Sequence, residues 1–176
     1  EDQIFVTAKV AQALFFDVRD ASDTDNAVDF GNLTAGASRF ATDGAGGDTG
    51  LTGASEFEAG TNASGGYTIA VAGTTLTSGV NTIDALTTAA VPAPGTEQFG
   101  IAVVTSPETG TDHGTIDGDY TGGTYYLDTA AEDVIATRTS PASNSTYDVD
   151  YLANISAATE AGEYSTALTY TMTANF

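Results

Sequence analysis

The sequence predicts an all-β protein, a β-sandwich of the Ig-like or jelly-roll-like kind with about nine to eleven short strands and an extended N-terminal strand. Three observations carry that expectation. The apolar residues are weighted toward Ala, Val and Ile among abundant Thr and Gly, a mix that suits strands and turns better than helices. Alternation of apolar and polar residues recurs along the chain. No segment keeps apolar residues at i, i+3, i+4 and i+7 over three turns; residues 85–91 come nearest and are cut off by Pro92 and Pro94.

The first element is the most informative. Ile4, Val6, Ala8, Val10, Leu14, Phe16 and Val18 all fall on even positions, broken only by Gln12. That reads as one alternating strand of some fifteen residues, which at ~3.3 Å each would reach ~50 Å. Strands usually run about 5–6 residues, and a domain of this size cannot cover such a length. Either the segment bends and serves two sheets, or its first half leaves the domain and pairs with something else. In the second case residues 14–18 would belong to the domain's own core and residues 4–10 to a neighbour, with Gln12 at the handover.

The remaining elements follow in order. Residues 20–26 form a polar turn, 27–30 a short apolar strand, and 37–42 a weakly alternating one. Residues 42–53 (TDGAGGDTGLTG) form a Gly/Asp-rich loop. Residues 56–59 lead through the turn 61–66 to a core strand at 67–72 (YTIAVA), and 75–86 form a hairpin around Ser78-Gly79. Residues 99–104 (FGIAVV) are a continuous apolar run of the buried-strand type. A long polar excursion fills 105–123, then come short strands at 124–127 and 134–137 and a turn at 140–146. Residues 147–155 alternate, with Tyr147, Val149, Tyr151, Ala153 and Ile155 inward and Asp148, Asp150 and Asn154 outward. The last strand, after Gly162, carries Tyr164, Leu168, Tyr170, Met172, Ala174 and Phe176 on its apolar face. There is no fixed-period repeat of the solenoid type. With 176 residues the chain is expected to form an arm over residues 1–16 and one domain over 17–176.

Charge narrows the function. Lys9, Arg19, Arg39 and Arg138 oppose 24 carboxylates, for a net charge of −20. Nucleic acid, which needs clustered Lys and Arg to replace counterions, is excluded as a partner. Anionic membrane surfaces are disfavoured for the same reason, and no apolar run approaches the ~18 residues of a spanning helix. A porin-like barrel would need more ten-residue strands with an apolar outer face. With no Cys there is neither a disulfide framework nor a thiolate metal site. The start at Glu1-Asp2 fits a secretory protein after removal of its signal peptide, or a chain trimmed at that end.

Candidate sites are few. Asp43 and Asp48 flank a Gly-rich turn, and Asp117 and Asp119 lie near the one His, His113. Calcium takes 6–8 oxygen ligands and is the cofactor such loops would suit, although solvated turns use the same residues. Catalysis finds no support: there is no Gly-x-Ser-x-Gly elbow and no phosphate loop, and abundant Asp does not place a glycosidase pair. No enzyme activity is expected. Asn62 and Asn144, in sequons at predicted turns, are the candidate glycosylation acceptors.

The segments 62–67 (NASGGY), 76–79 (LTSG), 97–100 (EQFG) and 161–170 (AGEYSTALTY) resemble secreted β-sandwich proteins of bacteria and archaea. The Gly-x-Tyr-Ser opening of the C-terminal strand is similar to that of spore-coat-U-like and chaperone–usher pilin domains. The resemblance covers about a third of the chain and implies, as in camelysin/TasA-type matrix fibres, subunits joined by donor-strand exchange. The sequence departs from pilins in lacking a Cys pair, and from type IV pilins in lacking an apolar N-terminal helix. The expectation is a structural subunit of an extracellular, cell-surface filament. It would be a homopolymer joined head-to-tail through Ile4, Phe5, Val6, Ala8 and Val10, with no nucleic acid and no membrane insertion. The alternative is a monomeric secreted or surface module binding glycans or ligands, with calcium if the Asp loops hold it.

Overall fold

The computed structural model describes residues 7–22, 25–44, 46–48, 53–105, 113–121 and 123–176. Among these residues eleven strands run in chain order: β1 Leu14–Asp20, β2 Arg39–Phe40, β3 Ser55–Thr61, β4 Tyr67–Gly73, β5 Thr77–Ser78, β6 Asn81–Thr82, β7 Gln98–Thr105, β8 Thr115–Ile116, β9 Asp133–Arg138, β10 Ala142–Asn154 and β11 Leu168–Ala174. Among the described residues the sole helical element is a 3₁₀ turn at Gly118–Tyr120. The protein is an all-β sandwich. One antiparallel sheet places β3 between β1 and β10, with β7 on the far side of β10 and β2 beside the end of β10 past β3. The other runs β11-β4-β9-β8, and β5-β6 is a small hairpin.

The core follows the alternation. Tyr67, Ile69 and Val71 of β4 are fully buried against Phe57, Tyr147 and Val149 of the opposing sheet. Each such side chain contributes roughly 1.5–3 kcal/mol by leaving water. Phe57 stacks on Tyr147 at 5.0 Å between ring centroids, and the hydroxyls of Tyr67 and Tyr147 are hydrogen-bonded at 2.7 Å. The uninterrupted apolar run of β7 has a physical reason. Its second face is covered by a smaller cluster in which Ala102 and Leu152 meet Phe40 and Tyr125, so neither face reaches water from Gln98 to Val103.

Several expectations are corrected. The first strand begins at Leu14, and residues 7–13 are exposed and form no strand within the domain; residues 4–6 lie outside the described ones. The predicted turn at 140–146 is the first part of β10, which starts at Ala142 and absorbs a register shift before Ser145. Asp150 is buried rather than outward, accepting a hydrogen bond from the Gly53 amide at 2.8 Å. Asn154 is buried as well, its amide 2.6 Å from that of Gln98. The predicted strands at 27–30 and 124–127 reduce to single bridges such as Asp29–Thr42 and Ile101–Tyr126. The polar excursion, in turn, holds β8 and the 3₁₀ turn.

Candidate functional site

The sandwich has two poles. At one, Leu14 pairs with Thr61 and Ala174 with Tyr67, and the turn 61–66 joins the sheets. At the other, Asp20 pairs with Ser55 and Leu168 with Gly73. We refer to them as the arm pole and the groove pole, for the features each carries.

The arm leaves at the first. Residues 7–15 are exposed, Val10 at 83 % and Phe15 at 50 %. Its root is held by Asn62, whose side chain completes both ends of a clasp. The Ala13 amide donates to Asn62 Oδ1 at 2.8 Å, and Asn62 Nδ2 donates to the Ala11 carbonyl at 2.7 Å. The Asn62 amide and Thr61 Oγ1 both donate to the Ala13 carbonyl, at 3.3 and 2.9 Å. The turn that presents Asn62 depends on Gly66, whose φ of 70° is left-handed and whose missing Cβ leaves room for the Arg138 carbonyl. Sequence reasoning offered Asn62 as a glycan acceptor. It is exposed, but its amide nitrogen is already engaged with the arm.

The second feature is a groove of about 1170 Å³ along the side where β1 and β11 are the sheet edges. Val18, Val28, Phe30 and Leu33 form one wall, Tyr164, Leu168 and Tyr170 the other, with Phe99 and Tyr151 beneath. Its walls are core side chains left only partly buried. On the opposite side of the sandwich, β7 is capped by the bridges to Ala85 and Tyr126. Along the groove, residues 164, 166, 168 and 170 are half-buried while 165, 167 and 169 are exposed. A row of side chains therefore faces the trench, beside a backbone edge that no described strand covers.

Beneath the groove lies a chain of hydroxyls. Ser55 Oγ meets Tyr151 OH at 2.7 Å, and Tyr151 OH meets Tyr170 OH at 3.0 Å. Burial raises the pKa of both tyrosines, that of Tyr170 further through its neighbour Tyr151. They stay neutral donors and acceptors at any ordinary pH. Nothing in this arrangement activates a nucleophile.

The remaining sequence-predicted residues do not converge. Asp43 accepts from Ser22 Oγ at 3.0 Å, and the Asp117 carboxylate caps the Asp119 amide at 3.0 Å. Asp48 pairs through its backbone with Phe40. Among the described residues no three His, Cys, Asp or Glu side chains come close enough to hold a metal ion. Asn144 is exposed beside the register shift of β10. Of the arm residues, Ala8 and Val10 are exposed, and Ile4, Phe5 and Val6 lie outside the described residues. The groove walls at Val28, Phe30 and Leu33 were not singled out from sequence, because a short apolar stretch looks the same whether it closes a core or lines a trench. No family model matches the chain, and no curated protein or solved structure matches it either.

Proposed function

We propose that the protein is a structural subunit of an extracellular filament, assembled head-to-tail by insertion of the N-terminal strand of one copy into the next. The observation that supports this is the pairing of two incomplete features at opposite poles. Residues 7–13 of the alternating N-terminal segment are exposed and join no strand of their own domain, and an apolar groove lies between two sheet edges. A strand added at such an edge obtains affinity from backbone hydrogen bonds and specificity from alternate side chains in pockets. A heterologous contact of this kind generates an open chain unless its rotation closes.

The test is deletion of residues 1–12, followed by negative-stain microscopy beside the intact protein. The intact chain is expected to form regular fibres and the truncated one to remain dispersed with an unchanged β-rich circular dichroism spectrum. Fibres from the truncated chain would sink the donor-arm reading. An intact chain that never polymerises would favour the monomeric binding module, with the groove as its ligand site.

A further inference from the structure

We propose that residues 4–10 of one copy lie antiparallel along residues 164–170 of the next, with Ile4, Val6, Ala8 and Val10 turned into the groove and Lys9 beside Glu163. This rests on the filament reading and adds to it the edge, the polarity and the register of the joint.

The edge follows from where the walls lie. The groove is lined by residues 159–170 on one side, and from 164 to 170 the half-buried positions are the even ones. Residues directly opposite in an antiparallel pair share a face. The even, apolar positions of the arm must therefore meet even positions of the edge. Matching the four even arm positions to the four half-buried even positions from 164 to 170 sets Val10 opposite Tyr164, Ala8 opposite Thr166, Val6 opposite Leu168 and Ile4 opposite Tyr170.

The polarity follows from the poles. The arm is clasped at Ala13, at the pole where β11 ends with Ala174. Position 164 lies ten residues back along the row, ~33 Å at ~3.3 Å per residue. Three residues of extended chain span at most ~11 Å. A chain cannot place its own Val10 at its own Tyr164, so the antiparallel joint requires a second copy. That copy's body then sits at the groove pole, while the acceptor's own arm leaves from the arm pole, and the chain stays open. A parallel arm would bring two arm poles together, and each arm could enter the other's groove, which closes a dimer.

Charge selects the same direction. Glu160 and Glu163 line the groove beside Tyr164. Antiparallel pairing places Lys9, the chain's single lysine, opposite Ser165 next to them. Parallel pairing would put Glu1 and Asp2 at positions 161 and 162, like charge against like charge. In a chain of net charge −20 that difference counts.

The absence of cysteine makes the joint testable by cross-linking. Opposite residues in an antiparallel pair lie ~4.5–5.5 Å apart at Cα, within the ~4.4–6.8 Å of a disulfide. Fibres are assembled under reducing conditions from Phe5→Cys/Thr169→Cys and from Phe5→Cys/Ser165→Cys, then oxidised and run on a denaturing, non-reducing gel. The first pair is expected to give a ladder of covalent oligomers and the second none, its cysteines lying ~13 Å apart. A ladder from the second pair alone, a closed dimer, or no covalent species from fibres of either variant overturns the proposed joint while leaving the filament reading intact. Absence of fibres from the unaltered chain overturns that reading itself. A second measurement does not depend on cysteine. Lys9→Glu is expected to slow assembly about fivefold, and Lys9→Glu/Glu163→Lys to restore it; no rescue counts against the placement of Lys9.

Discussion

Replacing Asn62 by Ala separates the arm's anchorage from the stability of the domain. The substitution removes two side-chain hydrogen bonds, the Ala13 amide to Asn62 Oδ1 at 2.8 Å and Asn62 Nδ2 to the Ala11 carbonyl at 2.7 Å. It leaves the Ala13 carbonyl held by the Asn62 amide and Thr61 Oγ1. Hydrogen bonds contribute about 0.5–1.5 kcal/mol each net, and these lie at an exposed site, so the pair is worth about 1–2 kcal/mol. That energy orders the root of the arm and little else, since residues 7–13 are exposed. Local opening can differ from global unfolding by many kcal/mol. The Ala13 amide is therefore expected to exchange with solvent about 5–30 times faster in Asn62→Ala, with the thermal midpoint unmoved. Asn62→Asp keeps the acceptor for Ala13 but loses the donor to Ala11, so it should leave the Ala13 amide protected. Hydrogen exchange by NMR reads both. Unchanged exchange at Ala13 in Asn62→Ala would refute the clasp. A fall of several degrees in midpoint would show that Asn62 supports the core rather than the arm.

Three further outcomes concern the body of the sandwich. Tyr151→Phe leaves the hydroxyls of Ser55 and Tyr170 without their shared partner, and a denaturant titration should show a loss of about 1–3 kcal/mol. Tyr125→Phe removes a buried hydroxyl with no hydrogen-bond partner among the described residues, so the same titration should show a gain of about 1 kcal/mol. Burial raises the pKa of both Tyr151 and Tyr170 above the usual tyrosine value of 10.0. A raised pKa means the folded state holds protons that the unfolded chain releases. Stability is thus fully present below pH ~10 and falls above it, by ~1.4 kcal/mol per pH unit for each tyrosine still protonated. Denaturation midpoints measured from pH 9 to 12, with tyrosinate absorbance alongside, should show ionisation coinciding with unfolding.

β4 and most of β7 were legible because their apolar patterns match their burial. In β4 the alternation of Tyr67, Ile69 and Val71 matches three fully buried side chains, and in β7 the apolar run matches burial on both faces as far as Val103. What was not legible depends on tertiary cover. Asp150 sits on the face opposite Tyr151 and reads as solvated, yet Gly53 closes over it. Residues 27–30 and 124–127 look like strands in isolation but find partners for only single bridges. Gln12 breaks the apolar face of the first segment, while strand pairing begins at Leu14 and burial only at Phe16. The Asn62 clasp was invisible because no local pattern links two segments separated by about fifty residues; only the register of β1 on β3 brings them together.

Charge decides how such a filament could form. Of the four cations, the three arginines are occupied within their own chain. Arg19 donates to Glu56, Glu58 and Asp17 across β1 and β3, Arg39 to the Gly46 carbonyl, and Arg138 to the carbonyls of His113 and Pro141. Lys9 alone is carried on the arm, and two subunits of charge −20 must approach before it can act. Repulsion at that stage acts over the Debye length, ~30 Å at 0.01 M salt and ~8 Å at 0.15 M. A completed joint would be held by backbone hydrogen bonds and apolar burial, which salt screens little. Salt should therefore govern the rate of assembly and not the endurance of its product. Fibre growth followed by light scattering is expected to accelerate steeply between ~0.01 and ~0.15 M NaCl, while preformed fibres transferred to the lower salt keep their length. Fibres that dissolve on that transfer would mean the joint is an electrostatic one, and an apolar arm in an apolar groove could not then be what holds the subunits together.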